Sequence, residues 1–235
     1  MGKKVLIIIS VIILILALAF AGYKLFRVRD FTVSGCGALS EEDVVARSGI
    51  AYDQHLLEID FHKAAAAIEE DPMIASAGIE IAYPDEIAIM IEERRPAACI
   101  VKGDALIVID RECYVMQVRA QTEADTYPVV SGLQLGDFQI GLRLGAQDMF
   151  QLDVLSRVLS AIGDAQMDIS GVDVTRVADV ALYMRDGLTI EIGDDTQLPQ
   201  KLELAESALQ ELQKRGESGG ILDVASTKSA YYREN

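Results

Sequence analysis

Seventeen consecutive residues, Val5 to Ala21, contain a single polar member, Ser10. A run like that cannot stay in water as an exposed surface, so it constrains the chain more than any other feature. As a helix rising 1.5 Å per residue it spans about 26 Å, slightly short of a ~30 Å hydrocarbon core. Gly22, Tyr23 and a snorkelling Lys24 extend it, giving an expected transmembrane helix over 5–23 behind a tail of residues 1–4. The rival reading is a cleaved signal peptide, because Ala17-Leu18-Ala19 and Ala19-Phe20-Ala21 both resemble small-residue cleavage sites. Retention is favoured by the length of the run and by the basic cluster Lys24, Arg27 and Arg29 that follows it. Charge bias barely decides orientation, since Lys3, Lys4 and the amino terminus face three basic residues across the helix.

Five of the 21 Lys and Arg residues precede Asp30, whereas all 37 Asp and Glu residues lie from Asp30 onward, leaving 16 basic against 37 acidic, or −21, beyond the apolar run. A domain so acidic repels polyanions and anionic lipid surfaces, and no Lys/Arg stripe interleaves with aromatics, so nucleic acid is excluded as a partner. Proteins are the expected partners. Three cysteines, Cys36, Cys99 and Cys113, make an odd count without metal-ligand spacing. They read as three small buried hydrophobes, with a Cys99–Cys113 pair open if the two lie on neighbouring strands.

The soluble part divides by pattern. Phe31 to Ser34 alternates and breaks at Gly35-Cys36-Gly37, predicting a short strand and turn. Ser40 with Asp43 three residues on approximates a capping box, Val44 and Val45 supply an apolar face, and Gly49 stands at a helix C-cap. A second helix is expected from Asp60 as N-cap through Ile68, ending before Pro72. Ala77, Ile79, Ile81 and Tyr83, then Pro84-Asp85, then Ile87, Ile89 and Ile91 predict a β-hairpin. The order strand, helix, helix, strand, strand makes a small α+β unit.

From Ala97 the pattern becomes strand-rich: 99–102, 106–109 and 114–118, with turns at Gly103-Asp104 and Asp110-Arg111-Glu112. Residues 119–145 read as a loop around Pro128, Gly132, Gly136, Gly141 and Gly145. A helix over roughly 147–163 presents Leu152, Leu155, Leu159 and Ile162, and strands follow at 172–174, 180–184 and 188–192. Leu198, Leu202, Ala205, Leu209 and Leu212 form a helical stripe with Pro199 at its start and Gly216 at its end. Ile221–Val224 and Ser229–Tyr232 are the expected closing strands.

Catalytic chemistry finds little support in these residues. His55 and His62 lack metal spacing and read as surface histidines. No Gly-x-Ser-x-Gly elbow and no Walker lysine occur, and Gly136, Gly141 and Gly145 suit a flexible loop. Asp194-Asp195 and Glu41-Glu42 read as acidic pairs at helix N-termini, favoured by the macrodipole. Expected catalytic, metal and cofactor sites are therefore none, and no small-molecule ligand is expected. The pair Tyr231-Tyr232 is different: it either flanks an open sheet edge suited to strand addition by a partner or packs on the domain's own core.

Taken in order, Phe31-Thr32-Val33-Ser34-Gly35, Ser40-Glu41-Glu42-Asp43-Val44, Gly49-Ile50, Leu57-Glu58-Ile59-Asp60, Asp71-Pro72-Met73-Ile74-Ala75-Ser76-Ala77, Tyr83-Pro84-Asp85-Glu86-Ile87-Ala88-Ile89 and Glu93-Arg94-Arg95-Pro96-Ala97-Ala98 resemble the POTRA domain of the FtsQ/DivIB family of bacterial cell-division proteins. Leu106-Ile107-Val108-Ile109-Asp110, Pro128-Val129-Val130-Ser131-Gly132, Gly187 to Gly193, Lys201-Leu202 and Gly220-Ile221-Leu222-Asp223-Val224 resemble the family's β domain. Met73 stands where many members carry tryptophan, and a four-residue tail leaves little to contact cytoplasmic partners. The resemblance implies an α+β chain: an N-terminal transmembrane helix, a βααββ POTRA domain over 28–96, and a mixed strand-rich β domain with two flanking helices over 97–235.

It further implies a bitopic protein of the cell membrane at the division septum, N-terminus inside and C-terminal domain outside. There it would act as a non-catalytic divisome scaffold linking FtsB/DivIC-type and FtsL-type proteins to septal peptidoglycan synthesis. The resemblance also favours binding at the C-terminal edge, with Ser229, Ala230, Tyr231 and Tyr232 as the expected partner site. Two alternatives stand beside it. A membrane-anchored enzyme acting on the cell wall would need catalytic groups, which a hydrolase assay would reveal. A POTRA-containing export or assembly chaperone would need a barrel, and the residues after 96 offer no series of lipid-facing strands of ~10 residues each.

Overall fold

The computed structural model describes residues 2–37, 39–120, 127–165 and 167–234, with the backbone alone described at 2–4, 18, 19, 21, 24, 25 and 164. The first helix, α1 (Gly2–Leu25), carries exposed apolar side chains from Val5 to Leu16. No helix among the described residues is long and apolar enough to cross a membrane. The expected span over 5–23 is helical throughout its backbone, and the side chains of Leu18, Ala19 and Ala21 lie outside the described residues. Those of Lys3, Lys4 and Lys24, on which the charge argument for orientation rests, lie outside them too.

The chain forms two compact units, Met1–Glu93 and Arg94–Asn235. In the first, β1 (Asp30–Ser34), α2 (Glu41–Ser48), α3 (Phe61–Glu69), β2 (Ile74–Ala82) and β3 (Glu86–Glu93) give a three-stranded sheet in the order β1-β3-β2. Each helix starts where the sequence says. Ser40 accepts from the N–H of Asp43, Asp60 from that of Lys63, and Gly49 closes α2 in the left-handed region. The hairpin pairs Ile79 with Ile89 and Ile81 with Ile87, and alternation buries Ile87, Ile89 and Ile91 under Val44, Ala64 and Ile68 from the helices. Each such side chain contributes about 1.5–3 kcal/mol on burial.

Two sequence signatures acquire physical reasons here. Gly35 ends β1 at φ +88°, and a Cβ there would stand 1.9 Å from the carbonyl oxygen of Ile91, so only glycine fits. Asp71 is buried, accepts from the N–H of Met73 at 2.9 Å and pairs with Arg47 at 2.9 Å, joining α2 to the turn before β2.

His55 departs from expectation. It is 4% exposed, stacks on Tyr23 with ring centroids 4.2 Å apart, and accepts from the N–H of Leu57 through Nδ1. Docking of the chain after α1 against residues 53–56 covers it: Val28 N–H donates to Gln54, Asp53 N–H to Val28 and Leu56 N–H to Phe26. His62 is exposed, as expected.

The second unit is one nine-stranded sheet. In chain order its elements are β4 (Ala98–Lys102), β5 (Ala105–Ile109), β6 (Val115–Ala120), β7 (Val129–Ser131), α4 (Met149–Asp164), β8 (Ile169–Asp173), β9 (Val180–Met184), β10 (Thr189–Gly193), α5 (Leu198–Arg215), β11 (Ile221–Asp223) and β12 (Tyr231–Arg233). The strand order is β12-β11-β10-β9-β8-β7-β4-β5-β6. Two pairs flanking the helices are parallel, β7 with β8 across α4 and β10 with β11 across α5, as crossover connections require. One core gathers Leu152, Leu155 and Leu159 of α4, Leu198, Leu202 and Ala205 of α5, and the inward residues of the strands.

Of the segment 119–145, expected as a loop, residues 121–126 lie outside the described residues, and 127–145 are more ordered than that reading allows. They contribute β7, which joins the two halves of the sheet by parallel pairing with β4 and β8. Beyond it, Gly136 N–H donates to Gly145 and Gly145 N–H to Asp137, so the glycines permit close backbone approach and do not mark a flexible loop.

Candidate functional site

The sheet of the second unit has two edges, and they differ. The start of β6 is covered, since Val115 N–H donates to Leu142, Gly141 N–H donates back to Val115, and Tyr114 bridges Arg143. On the far side, β12 pairs only with β11 among the described residues.

Backbone alternation fixes what this edge offers. Gly220 C=O accepts from Thr189 and Val224 N–H donates to Glu191, so the even-numbered residues of β11 turn their polar backbone to β10. Ile221 and Asp223 therefore face β12, and their partners Arg233 and Tyr231 engage β11. By the same alternation the N–H and C=O of Tyr232 point away from the sheet, and Ala230, two residues back, shares that side. The edge is a place where an added strand finds unpaired donors and acceptors.

The side chains sort oppositely. Tyr232 is half-buried against the main core and donates its hydroxyl to the carbonyl of Gly219 at 3.2 Å. Tyr231 is 63% exposed on the face away from the helices. Arg233, on the same face, pairs with Glu191 at 2.8 Å. The strand is Tyr231–Arg233, not Ser229–Tyr232, and Ala230 packs against the core while Ser229 is half-buried ahead of the strand. Of the four residues expected at a partner site, Tyr231 alone has an exposed ring, while Tyr232 and Ala230 direct backbone toward the open edge. Arg233, outside the expected four, shares the outward face of Tyr231 by the same alternation.

Cys113 lies within the main core, where burial pushes its thiol up to about 12. Cys99 is buried in a separate cluster with Leu106 and Val108, so the two do not pair. Cys36 is only half-buried, contrary to expectation, and burial together with Glu93 and Glu41 raises its thiol as well. Raised thiols are poor nucleophiles.

Asp194 and Asp195 are not helix N-terminal charges. Asp194 accepts from the buried Lys201 at 2.7 Å and from Thr196, which hold its carboxyl down to about 2, while Asp195 pairs with Arg157. Glu41 and Glu42 do occupy the first turn of α2. A cavity of about 540 Å³ beside α5, lined by Met167, Met184, Leu209, Asp168, Asp186 and Glu206, contains no histidine, serine or cysteine among the described residues. No three His, Cys, Asp or Glu among the described residues could hold a metal ion.

The Glu-Arg-x-Pro string at Glu93-Arg94-Arg95-Pro96 also finds its place. Arg94 extends a side chain 9% exposed to Asp110, itself 7% exposed, and lies over the ring of Tyr114 with its guanidinium carbon 3.9 Å from the centroid. Asp110 additionally accepts from the N–H groups of Glu112 and Tyr114. Arg94 thus belongs to the second unit, three residues before the expected boundary.

Comparison with known proteins agrees with both units. Residues 26–94 match the FtsQ-type POTRA domain, and residues 98–225 match the C-terminal domain of cell division protein FtsQ/DivIB. The chain is 27% identical to cell division protein FtsQ of Syntrophotalea carbinolica over 88% of its own length and 74% of that protein's. It is 26% identical to cell division protein DivIB of Clostridium tetani, covering 86% of this chain and 77% of the relative. With FtsQ of Corynebacterium glutamicum it shares 29% identity over 82% and 85%. An FtsQ-type POTRA sheet followed by the matching C-terminal sheet places the chain in the FtsQ/DivIB family of cell-division proteins.

Proposed function

We propose that this chain is a non-catalytic scaffold of the division machinery, held in the membrane by α1 with its N-terminus inside, and that it captures a partner by strand addition at β12. The open edge carries the reading: the backbone of Tyr232 points outward beside an exposed Tyr231. The family supports the division role. The 17-residue apolar run and the continuous helix over Gly2–Leu25 support the anchor. The partner class is an FtsB/DivIC-type protein, with an FtsL-type protein in the same assembly, linking this chain to septal peptidoglycan synthesis.

The test is a titration of residues 30–235 with the extracytoplasmic segment of an FtsB/DivIC-type protein. Ala230→Pro removes one outward donor and Tyr231→Ala removes the exposed ring, which is worth about 1–3 kcal/mol if it anchors the interface. Unchanged affinity in both variants sinks the edge site. A reporter fused after Asn235 that is active inside the cell overturns the orientation and the scaffold reading with it.

A further inference from the structure

Beyond α1, the exposed large apolar side chains of the first unit are Phe26, Tyr52, Leu57, Tyr83 and Met90, and all but Met90 lie in three segments that meet where α1 ends. Phe26 C=O accepts from Leu56, Val28 exchanges backbone bonds with Asp53 and Gln54, and the N–H groups of Arg29 and Asp30 reach Asp85. The rings of Phe26 and Tyr83 meet edge-on at 6.4 Å. Leu57 is 88% exposed, Tyr83 76% and Tyr52 65%. Single exposed apolar residues need no explanation, but four gathered at one end of a small domain mark a surface that something covers.

We propose that this end of the POTRA unit rests in the interfacial layer of the bilayer, Leu57 and Tyr83 inserting among the headgroups. The proposal rests on α1 being the membrane anchor, because continuity with Leu25 then leaves the headgroup layer directly against these segments. Tyrosine and phenylalanine are side chains that favour such a layer. Among the described side chains charge does not draw the surface down, since Arg27 pairs with Asp53 at 3.0 Å and Arg29 lies 3.7 Å from Asp85. The contact is apolar and indifferent to anionic lipid.

The chain has no tryptophan, so single substitutions report on their own surroundings. Leu14→Trp, Leu57→Trp, Tyr83→Trp and Met90→Trp are made in the full chain and reconstituted into zwitterionic bilayers with brominated acyl chains. Met90 lies four residues along β3 from Glu86, which pairs with Asp30 near the helix exit, about 13 Å further away. Leu14→Trp is expected to be quenched strongly, Leu57→Trp and Tyr83→Trp clearly, with blue-shifted emission, and Met90→Trp not at all. Quenching at Leu14 with Leu57 and Tyr83 no different from Met90 overturns the proposal and leaves the anchor standing. Absence of quenching at Leu14 overturns the anchor, and the proposal falls with it. Quenching at Leu57 and Tyr83 that appears only with anionic lipid overturns the apolar contact proposed.

Discussion

Replacing Arg94 by alanine tests whether the Glu-Arg-x-Pro signature stabilises the second unit. Its guanidinium is removed from solvent along with the carboxylate of Asp110, and Nη1 stands 2.5 Å from Oδ2. Breaking such a pair from one side costs about 3–5 kcal/mol, because the surviving charge stays buried without its partner. Asp110 retains two backbone donors, at 2.9 and 2.8 Å, so the lower end applies, about 3 kcal/mol. Lost stacking on Tyr114 adds a fraction of that. For a domain near 150 residues each kcal/mol moves the melting temperature roughly 2–4 °C, so residues 30–235 carrying Arg94→Ala should lose about 6–12 °C in the transition of the second unit. Arg95, its exposed neighbour, supplies the control: Arg95→Ala should melt within about 1 °C of wild type. Calorimetry separates the two units by their transitions. If Arg94→Ala melts with Arg95→Ala, the pair is not a stabilising element and the reasoning fails.

Tyr232→Ala should cost about 2 kcal/mol of stability, since its half-buried ring packs on the main core, whereas Tyr231→Ala should leave the melting curve unchanged and weaken the partner. Equal melting of the two variants would contradict the assigned sidedness of β12. Asp194 titrates below its unfolded value, held first by the hydrogen bond from Lys201, so its contribution is complete above about pH 4 and is lost as pH falls through about 2. In chemical denaturation, Asp194→Asn should therefore differ most from wild type near pH 5 and converge on it toward pH 2; a gap constant across that window refutes the linkage. Gly35→Ala should destabilise the first unit by more than about 2 kcal/mol, read as loss of its separate melting transition, because the added carbon meets the Ile91 carbonyl.

What the sequence made legible was whatever rests on short-range physics. The hairpin follows from isoleucines at alternate positions, and the ends of α2 and α3 follow from Ser40, Gly49 and Asp60. What escaped depends on pairing across the fold. β7 has three residues, and only β4 and β8 make it a strand. A signal did exist, because a 16-residue helix followed by a strand implies a parallel partner upstream, and Val129-Val130 between Pro128 and Gly132 was the available segment. His55 is buried by chain docking after α1, which no local periodicity encodes. The sidedness of Tyr231 and Tyr232 hung on register. Once Leu222 pairs with Tyr232, the pleat puts both on the core face.

An uncovered edge strand invites copies of the same chain as readily as a partner, and β12 limits that in two ways. It is three residues long between Lys228 and Glu234, and two copies would each carry −21 into contact. Shortness limits a true partner too. Alternation directs only Tyr232, with Ala230 beside it, to the open edge, so strand addition there forms on the order of two to four backbone hydrogen bonds, each worth about 0.5–1.5 kcal/mol net. Micromolar binding needs about 8 kcal/mol after the cost of association, which those bonds cannot supply. On the proposed reading the backbone would therefore set the register and the side chains would supply the affinity, beginning with Tyr231 and extending along the face that carries Ile221 and Arg233. A partner peptide trimmed to the residues that pair with β12 should then bind more weakly than about 1 mM, and lengthening it across that face should restore binding in steps that Tyr231→Ala removes.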